Sequence, residues 1–347
     1  MAYRTLVLSL VTLLASNLHA AEPDHRDLTR FKNDSGQTAS IKCPQDWEQR
    51  RQQILAGMTR VMGPLPDRTK LVPLDDQITE ETDLDGLTRQ KLKFQTLEGE
   101  YVPAYLFIPK TPPTQNNTTE KRPAVLCLHQ TTTIGKGEPA GAGGLPNLHY
   151  ALELAQRGYV TLAPDYPSFG DYTFKFPAKG FDSGTMKGIW NHMRAVDFLQ
   201  SLPNVDGERI GCIGHSLGGH NTIFVSVFDP RIKASVSSCG FNSFYKYYGG
   251  NLKGWSSDRY MPRIINEFHA NPQEMPFDFP ELIAALAPRA FFTNSPIHDA
   301  NFEVSGVKDC ISAAAPIYKL LGHPEKDRKS TRLNSSHSAK SRMPSSA

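Results

Sequence analysis

The chain has 347 residues, of which 39% are hydrophobic and 21% are charged, which is enough for one large domain or two small ones with a buried core. The net charge of +3 is unevenly distributed. Residues 327–347 hold five Lys and Arg against one Asp and so contribute +4, which leaves the remainder at −1. This balance excludes the broad basic surface that binds nucleic acid.

The first 20 residues have the three regions of a secretory signal peptide. Arg4 supplies the positive charge, and residues 6–15 are apolar. Ala20 is the small residue expected just before a cleavage site. The apolar run is too short to span a bilayer. We therefore expect a secreted or periplasmic protein with no membrane contact once the signal is removed.

The segment after the signal combines a polar arm with a helix and a strand pair. Residues 21–42 are polar and are expected to form a loosely attached arm, whereas residues 45–62 have apolar side chains at helical spacing. Residues 87–94 and 101–108 alternate between apolar and polar, which predicts two antiparallel strands. Residues 112–120 are polar and predict a loop.

From residue 124 onward, short apolar runs alternate with helical patterns. The apolar runs lie at residues 124–128, 159–163, 209–214, 234–238 and 290–293, and the predicted helices lie at residues 150–157, 185–202, 220–228 and in a segment ending near 321. This alternation is typical of a mostly parallel, doubly wound sheet with helices on both faces. We expect one α/β domain over residues 43–326.

Two connections are longer than the fold requires. Residues 131–147 are rich in glycine and follow a strand directly, and residues 241–288 hold ten Tyr, Phe and Trp residues and predict a cap inserted between two strands. Both should open at the carboxyl edge of the sheet, where ligands bind in such folds. The aromatic rings could stack on a sugar or an aryl ester, or pack the insertion itself.

The sequence G-H-S-L-G at residues 214–218 is a G-x-S-x-G pentapeptide. An apolar strand enters it and a helix leaves it, which is the context of a nucleophile elbow. Ser216 is therefore the predicted nucleophile, placed near the positive end of the following helix. The alternative is a glycine-rich turn with an incidental serine.

Two backbone N–H groups are expected to bind the negative oxygen that forms during acyl transfer. One belongs to Leu217, the residue after the predicted nucleophile. The other should follow the strand at residues 124–128, which favours Gln130, with His129 beside it. Both residues could instead only shape the turn.

The catalytic acid should follow the strand that comes after the cap, because the chain order in this fold is Ser, acid, His. Asp299 occupies that position. Asp309 competes with it but lies well into the next helix. The alternative role for Asp299 is that of a helix N-cap.

No histidine of the printed chain is well placed to be the base. His298 adjoins the acid, His323 ends a helix at the opposite edge of the sheet, and His337 follows no apolar strand. Residues 327–347 contain seven serines and no aromatic residue, Val or Ile, and their first half resembles the translation of a sequencing-library adapter. We expect this tail to be non-native and disordered, so that the last strand, the catalytic histidine and the closing helix are missing; a genuine flexible tail is the alternative.

Four stretches carry a resemblance to a known family. They are R-G-Y-V at residues 157–160, A-P-D-Y at 163–166, V-D-G-E-R-I-G at 205–211 and D-P-R-I-K-A at 229–234. Residues 47–321 resemble the acetyl-xylan-esterase and dienelactone-hydrolase-like branch of the α/β-hydrolases, which is related to prolyl oligopeptidases. The resemblance implies an α/β-hydrolase fold, a Ser-Asp-His triad and action on esters, often of plant polysaccharides. Dienelactone hydrolases use cysteine, so Ser216 favours the esterase or peptidase side.

We therefore expect a serine hydrolase that cleaves carboxylic esters, such as acetyl esters of carbohydrates, although the printed chain itself should be inactive or nearly so. One alternative is a prolyl-oligopeptidase-like peptidase, which the lack of a preceding propeller-sized domain disfavours. The other is a non-catalytic carbohydrate-binding homologue. The sequence predicts no metal or cofactor, and leaves open the oligomeric state and a disulfide between Cys43 and Cys310.

Overall fold

The computed structural model describes residues 24–110 and 121–330 of the chain. The predicted signal peptide, the loop at 112–120 and His337 lie outside these residues. Within the described residues, no helix combines the length and hydrophobicity needed to cross a bilayer. All five cysteines are free thiols, so Cys43 and Cys310 are not bridged.

The described residues form eleven strands and seven α-helices. The strands are β1 (Arg30–Lys32), β2 (Thr38–Ser40), β3 (Gln77–Leu84), β4 (Leu87–Leu97), β5 (Glu100–Pro109), β6 (Arg122–Leu128), β7 (Val160–Pro164), β8 (Val205–His215), β9 (Ile232–Ser238), β10 (Ala290–Asn294) and β11 (Asp327–Ser330). The helices are α1 (Pro44–Met62), α2 (Tyr150–Gln156), α3 (Gly184–Ser201), α4 (Leu217–Phe228), α5 (Arg263–Asn266), α6 (Phe279–Ala285) and α7 (Val304–Leu320).

Nine of the described strands form one sheet in the order β11-β10-β9-β8-β6-β7-β5-β4-β3. Neighbours in the run β11-β10-β9-β8-β6-β7 pair in parallel. The pairs β7–β5, β5–β4 and β4–β3 are antiparallel. The predicted α/β fold with a mostly parallel sheet is therefore confirmed. The antiparallel strands extend one edge of this parallel sheet.

Helices pack on both faces of the sheet. The side chains of successive strand residues point to opposite faces, so Leu126 of β6 belongs to one core with α3 and α4, while Cys127 belongs to a second core with Ala151 and Ala155 of α2. This double burial explains why the central strands are continuous apolar runs rather than alternating ones.

The N-terminal arm is not loosely attached, contrary to the sequence prediction. His25 and Leu28 are 3% and 1% exposed. His25 Nδ1 lies 2.9 Å from the Glu281 carboxylate, and its Nε2 lies 2.7 Å from the carbonyl oxygen of Met275. Burial alone would lower the pKa of His25, but the Glu281 carboxylate, together with Asp278 and the Met275 carbonyl, outweighs it and raises this pKa to about 9. A buried charge pair therefore holds the arm to α6.

The sheet also extends past the strand at which we expected it to end. Asp327–Ser330 form β11, which pairs in parallel with β10. These four residues were predicted to begin a disordered tail, because their side chains give no strand pattern. The correction has a simple physical cause: ladder hydrogen bonds come from the backbone, so the open edge of β10 can pair with an extended segment of almost any composition.

The cap is a packed layer of aromatic rings. Seven of its rings are almost fully buried, namely those of Phe241, Phe244, Tyr247, Trp255, Phe268, Phe277 and Phe279. Trp255 lies at the centre, with ring centroids 5.5 to 6.0 Å from Tyr247, Phe244 and Phe279. Most of the cap's aromatic side chains therefore pack the insertion itself and are not free to stack on a ligand.

Candidate active site

Ser216 stands at a sharp corner between β8 and α4. Its backbone angles are φ 52° and ψ −112°, a region that residues other than glycine seldom adopt. Its N–H donates to the Ser238 carbonyl oxygen at 2.9 Å, and its own carbonyl accepts the N–H of Gly219 at 2.9 Å. The strand, tight turn and helix that the pentapeptide predicts are all present, and α4 begins at Leu217, three residues earlier than predicted.

Close backbone packing explains the glycines of the corner. A Cβ at Gly214 would overlap the backbone of Gly218, and a Cβ at Gly218 would overlap the carbonyl oxygen of Leu128. The first turn of α4 therefore lies directly against the end of β6. This contact brings the segment that follows β6, which begins at His129, next to Ser216 and Leu217.

His129 fixes the peptide that follows it. Its Nδ1–H donates to the Gln130 carbonyl at 2.6 Å, and its Nε2 accepts the Tyr166 N–H at 2.9 Å. A carbonyl can only accept and an amide N–H can only donate, so His129 must be neutral with its proton on Nδ1. Burial lowers the pKa of His129, which agrees with this assignment. Both ring nitrogens are occupied, so His129 is not free to act as the base.

The side chain of Gln130 is also held in place. Its amide Nε2 donates to Glu138 at 2.8 Å, and the other carboxylate oxygen of Glu138 accepts the Leu145 N–H at 3.1 Å. Glu138 is 3% exposed. Gln130 is thus fixed through its carbonyl group by His129 and through its side chain by Glu138, which orients its backbone beside the helix start at Leu217.

An ion cluster, in which Lys136 and Asp165 are buried and Asp171 is half-exposed, ties the glycine-rich loop at residues 131–147 to the loop after β7. Lys136 Nζ lies 2.7 Å from both the Asp165 and the Asp171 carboxylates. The second oxygen of Asp165 accepts the Lys136 N–H at 2.7 Å. Hydrogen bonds from Lys136 and Lys91 lower the pKa of Asp171 to about 2. Sequence reasoning missed this cluster, although a lysine in a glycine-rich loop was a usable signal.

Asp299 lies just after β10. Its Oδ1 accepts the N–H groups of Asn301 and Phe302 at 2.8 and 2.9 Å. The N-cap of α7 is Glu303, so Asp299 closes a turn before the helix and is not its cap. The competing residue Asp309 is on α7 and forms an ion pair with Lys246 of the cap at 2.8 Å.

Cys239 connects Asp299 to the corner that holds Ser216. Burial, with a smaller contribution from the neighbouring Asp299 carboxylate, raises the pKa of Cys239 to about 12. The Cys239 N–H donates to the Asn294 carbonyl at the end of β10, and the preceding residue, Ser238, accepts the Ser216 N–H. Ser216 and Asp299 therefore lie at the carboxyl ends of three adjacent strands, β8, β9 and β10.

In residues 24–110 and 121–330, no histidine is hydrogen bonded to Asp299. His298 is exposed, and the Nδ1 of His215 lies 3.1 Å from the Ser238 hydroxyl. His220 is buried against Trp255, with ring centroids 4.8 Å apart, and burial lowers its pKa to about 3. His323 lies beyond the end of α7 and pairs with Glu325. The same part of the chain holds no group of three side chains placed to bind a metal ion.

A mostly parallel sheet with a serine at the corner after β8 defines the α/β-hydrolase class. A family model for acetyl xylan esterases (AXE1) matches residues 69–248, which is more than half of the chain. The chain therefore belongs to the acetyl xylan esterase family. A second family model, for fungal glucuronyl esterases, matches residues 178–322.

Individual proteins agree with this assignment. The chain is 27% identical to YtaP of Bacillus subtilis, a protein assigned as a hydrolase, over 79% of this chain and 88% of that one. It is 22% identical to carbohydrate esterase MZ0003, from an unknown prokaryotic organism, over 57% of this chain and 49% of MZ0003, so the match spans about half of that relative. The structure of a glucuronoyl esterase from Solibacter usitatus has a TM-score of 0.61 at 20% identity, covering 83% of this chain and 84% of that one, and so shares the fold.

Proposed function

We propose that the protein is an exported serine hydrolase that removes a small acyl group, such as acetyl, from a carbohydrate ester. Ser216 is the nucleophile, Asp299 orients the catalytic histidine, and the N–H groups of Leu217 and Gln130 form the oxyanion hole. The acetyl xylan esterase family model supports the ester chemistry and the carbohydrate. The signal-like residues 1–20 support export.

The proposed reaction has two halves. The Ser216 Oγ attacks the acyl carbon while histidine takes the hydroxyl proton, and the carbonyl oxygen becomes an oxyanion that accepts hydrogen bonds from the two N–H groups. The C–O bond to the sugar then breaks, and histidine gives its proton to the leaving alcohol. Water next attacks the acyl-serine by the same route, releasing the acid and free Ser216.

One observation carries this proposal: the strained backbone of Ser216, φ 52°, at the corner between β8 and α4. A non-glycine residue in this region costs about 1–3 kcal/mol and persists only where the surroundings enforce it. Such strain clusters at active sites, and in a nucleophile elbow it is the backbone shape that exposes the serine hydroxyl above the sheet. The close packing of Gly214 and Gly218 provides the enforcement.

We further propose that none of the described histidines is the base. His129 has both nitrogens committed, burial lowers the pKa values of His215 and His220, and neither His298 nor His323 is hydrogen bonded to Asp299 within the described residues. Tests of catalysis should therefore use the genomic chain, defined as the polypeptide encoded by the source's genomic DNA through the first stop codon after codon 326. The printed chain should hydrolyse esters poorly, and an equally active printed chain would overturn this part of the proposal.

The acyl group could instead be a uronoyl group, since the glucuronyl esterase model matches residues 178–322. Comparing the genomic chain on acetylated xylan and on an alkyl ester of glucuronic acid distinguishes the two. The peptidase alternative has less support, because both matching family models describe esterases. Turnover of an aminoacyl-proline anilide in preference to p-nitrophenyl acetate would reverse that judgement.

Asp299→Asn tests the assignment of the acid. In the genomic chain this substitution should lower the kcat for p-nitrophenyl acetate by about 10⁴-fold, the loss expected when a histidine is left in the wrong tautomer. The matched control is Asp309→Asn, which removes a carboxylate on α7 that pairs with Lys246 and should keep most of the activity. A larger loss from Asp309→Asn than from Asp299→Asn would reverse the assignment.

A further inference from the structure

Arg259 of the cap carries a positive charge that no described side chain neutralises. It forms no ion pair within residues 24–110 and 121–330, and its Nε is buried with no hydrogen-bond partner. By contrast, Arg263 of the same cap pairs with Asp182 and Glu267. Removing a charged group from water without a partner is unfavourable, so a half-buried, unpaired guanidinium calls for an explanation.

The backbone of Arg259 is held firmly. The Tyr166 hydroxyl lies 2.9 Å from the Arg259 carbonyl oxygen. A Cβ at Gly184, the first residue of α3, would overlap that same oxygen. The guanidinium carbon lies 4.8 Å from the ring centroid of Phe169. Arg259 is thus anchored at its main chain, and its planar head group rests on an aromatic face, which leaves little rotamer freedom to lose on binding a ligand.

The same contacts place Arg259 next to the proposed oxyanion hole. The Phe169 ring lies 5.6 Å from the ring of His129, the residue that fixes Gln130. Tyr260, which follows Arg259, interacts with the side chain of Thr131, which follows Gln130. One aromatic ring therefore separates the guanidinium from the segment that would contact the reacting carbonyl.

An anchored, ring-stacked guanidinium with free donors is suited to bind a carboxylate through two parallel hydrogen bonds. We propose that Arg259 binds a carboxylate of the substrate, so that the site selects acidic sugars over neutral ones. This inference rests on the proposed function, because it assumes that the cleft beside Ser216 is where the sugar binds. It adds a specificity-determining residue, and the residue belongs to the cap rather than to the sheet.

Binding of two matched sugars to the printed chain tests this inference without requiring turnover. Methyl β-D-glucuronide and methyl β-D-glucoside differ only in a carboxylate in place of a hydroxymethyl group. Titration calorimetry should show that the wild type binds the glucuronide about tenfold or more tightly, as expected for a charge-assisted hydrogen-bonded pair. Arg259→Gln should bring the two affinities together, and added salt should weaken only glucuronide binding.

The matched control is Lys253→Gln, which removes a positive charge from an exposed cap residue and should leave the preference unchanged. Arg259→Lys keeps the charge but loses the planar fork, so an intermediate preference is expected. Arg259→Lys also replaces Arg259→Gln as the test variant if thermal melting shows that Arg259→Gln does not fold. Equal binding of the two sugars by the wild type, or an undiminished preference in Arg259→Gln or Arg259→Lys, would overturn the inference. Because the assay needs no catalysis, a chain in which Ser216 proves unreactive can still show the preference, so the two proposals fail separately.

Discussion

Ser216→Ala is expected to reduce the turnover of p-nitrophenyl acetate by the genomic chain by about 10⁶-fold, the scale of loss seen when a catalytic serine is removed. Without Oγ no acyl-enzyme can form, and only the N–H groups of Leu217 and Gln130 remain to stabilise an oxyanion made by direct attack of water. Because Ser216 forms no side-chain cap on α4, its removal should leave folding unchanged. Initial rates and a thermal melt of the same samples provide the measurement.

A serine within α4, the helix that Ser216 precedes, is the matched control. Ser226 is buried, and its hydroxyl bonds to that of Ser235 on β9 at 2.8 Å. Ser226→Ala should therefore affect stability more than catalysis, since it leaves one buried hydroxyl unpaired. If Ser216→Ala keeps a substantial part of the turnover, the nucleophile has been assigned to the wrong residue.

Gly218→Ala should be among the most damaging single-methyl additions in the molecule. The new Cβ would overlap the carbonyl oxygen of Leu128, and a backbone atom cannot move aside by changing rotamer. Overpacking commonly costs about 1–3 kcal/mol and sometimes more, and we expect about 3 kcal/mol or more here, together with loss of activity because α4 would separate from the end of β6. Chemical denaturation monitored by circular dichroism measures the change in the free energy of unfolding.

Gly211→Ala in β8 provides the comparison. Its Cβ would meet its nearest neighbour, the Ala234 carbonyl oxygen, at 3.5 Å, an ordinary contact distance. This variant should stay close to the wild type in stability and activity. Equal destabilisation by the two substitutions would mean that the corner does not depend on close backbone packing at Gly218.

Periodicity and turn chemistry made the central part of the fold predictable. The buried parallel strands are continuous apolar runs, so β6 and β7 were found within two residues of their observed ends. The corner at Ser216 was predictable because the tight turn requires glycine at fixed positions, and these positions all lie within residues 214–218. The choice of Asp299 as the acid remains a prediction from chain order, since the acid in this fold follows a particular strand.

What was missed depends on contacts between distant parts of the chain. β3 is mostly exposed and rich in Thr and Glu, so it has no apolar face to reveal it. The attachment of the arm depends on Glu281, which lies 256 residues from His25. The pairing of β11 is made by backbone hydrogen bonds to β10, which a side-chain pattern does not reveal. The roles of Lys136 and Arg259 can be recognised only in the folded structure, where Lys136 pairs with Asp165 and Arg259 stacks on Phe169.

The measurement that tests the account most directly is covalent labelling of the genomic chain with a fluorophosphonate, followed by peptide mass spectrometry. The account predicts one adduct, on the peptide that contains Ser216, and its absence from Ser216→Ala. An unlabelled chain, or an adduct on any other serine, would contradict the assignment of Ser216 as the nucleophile.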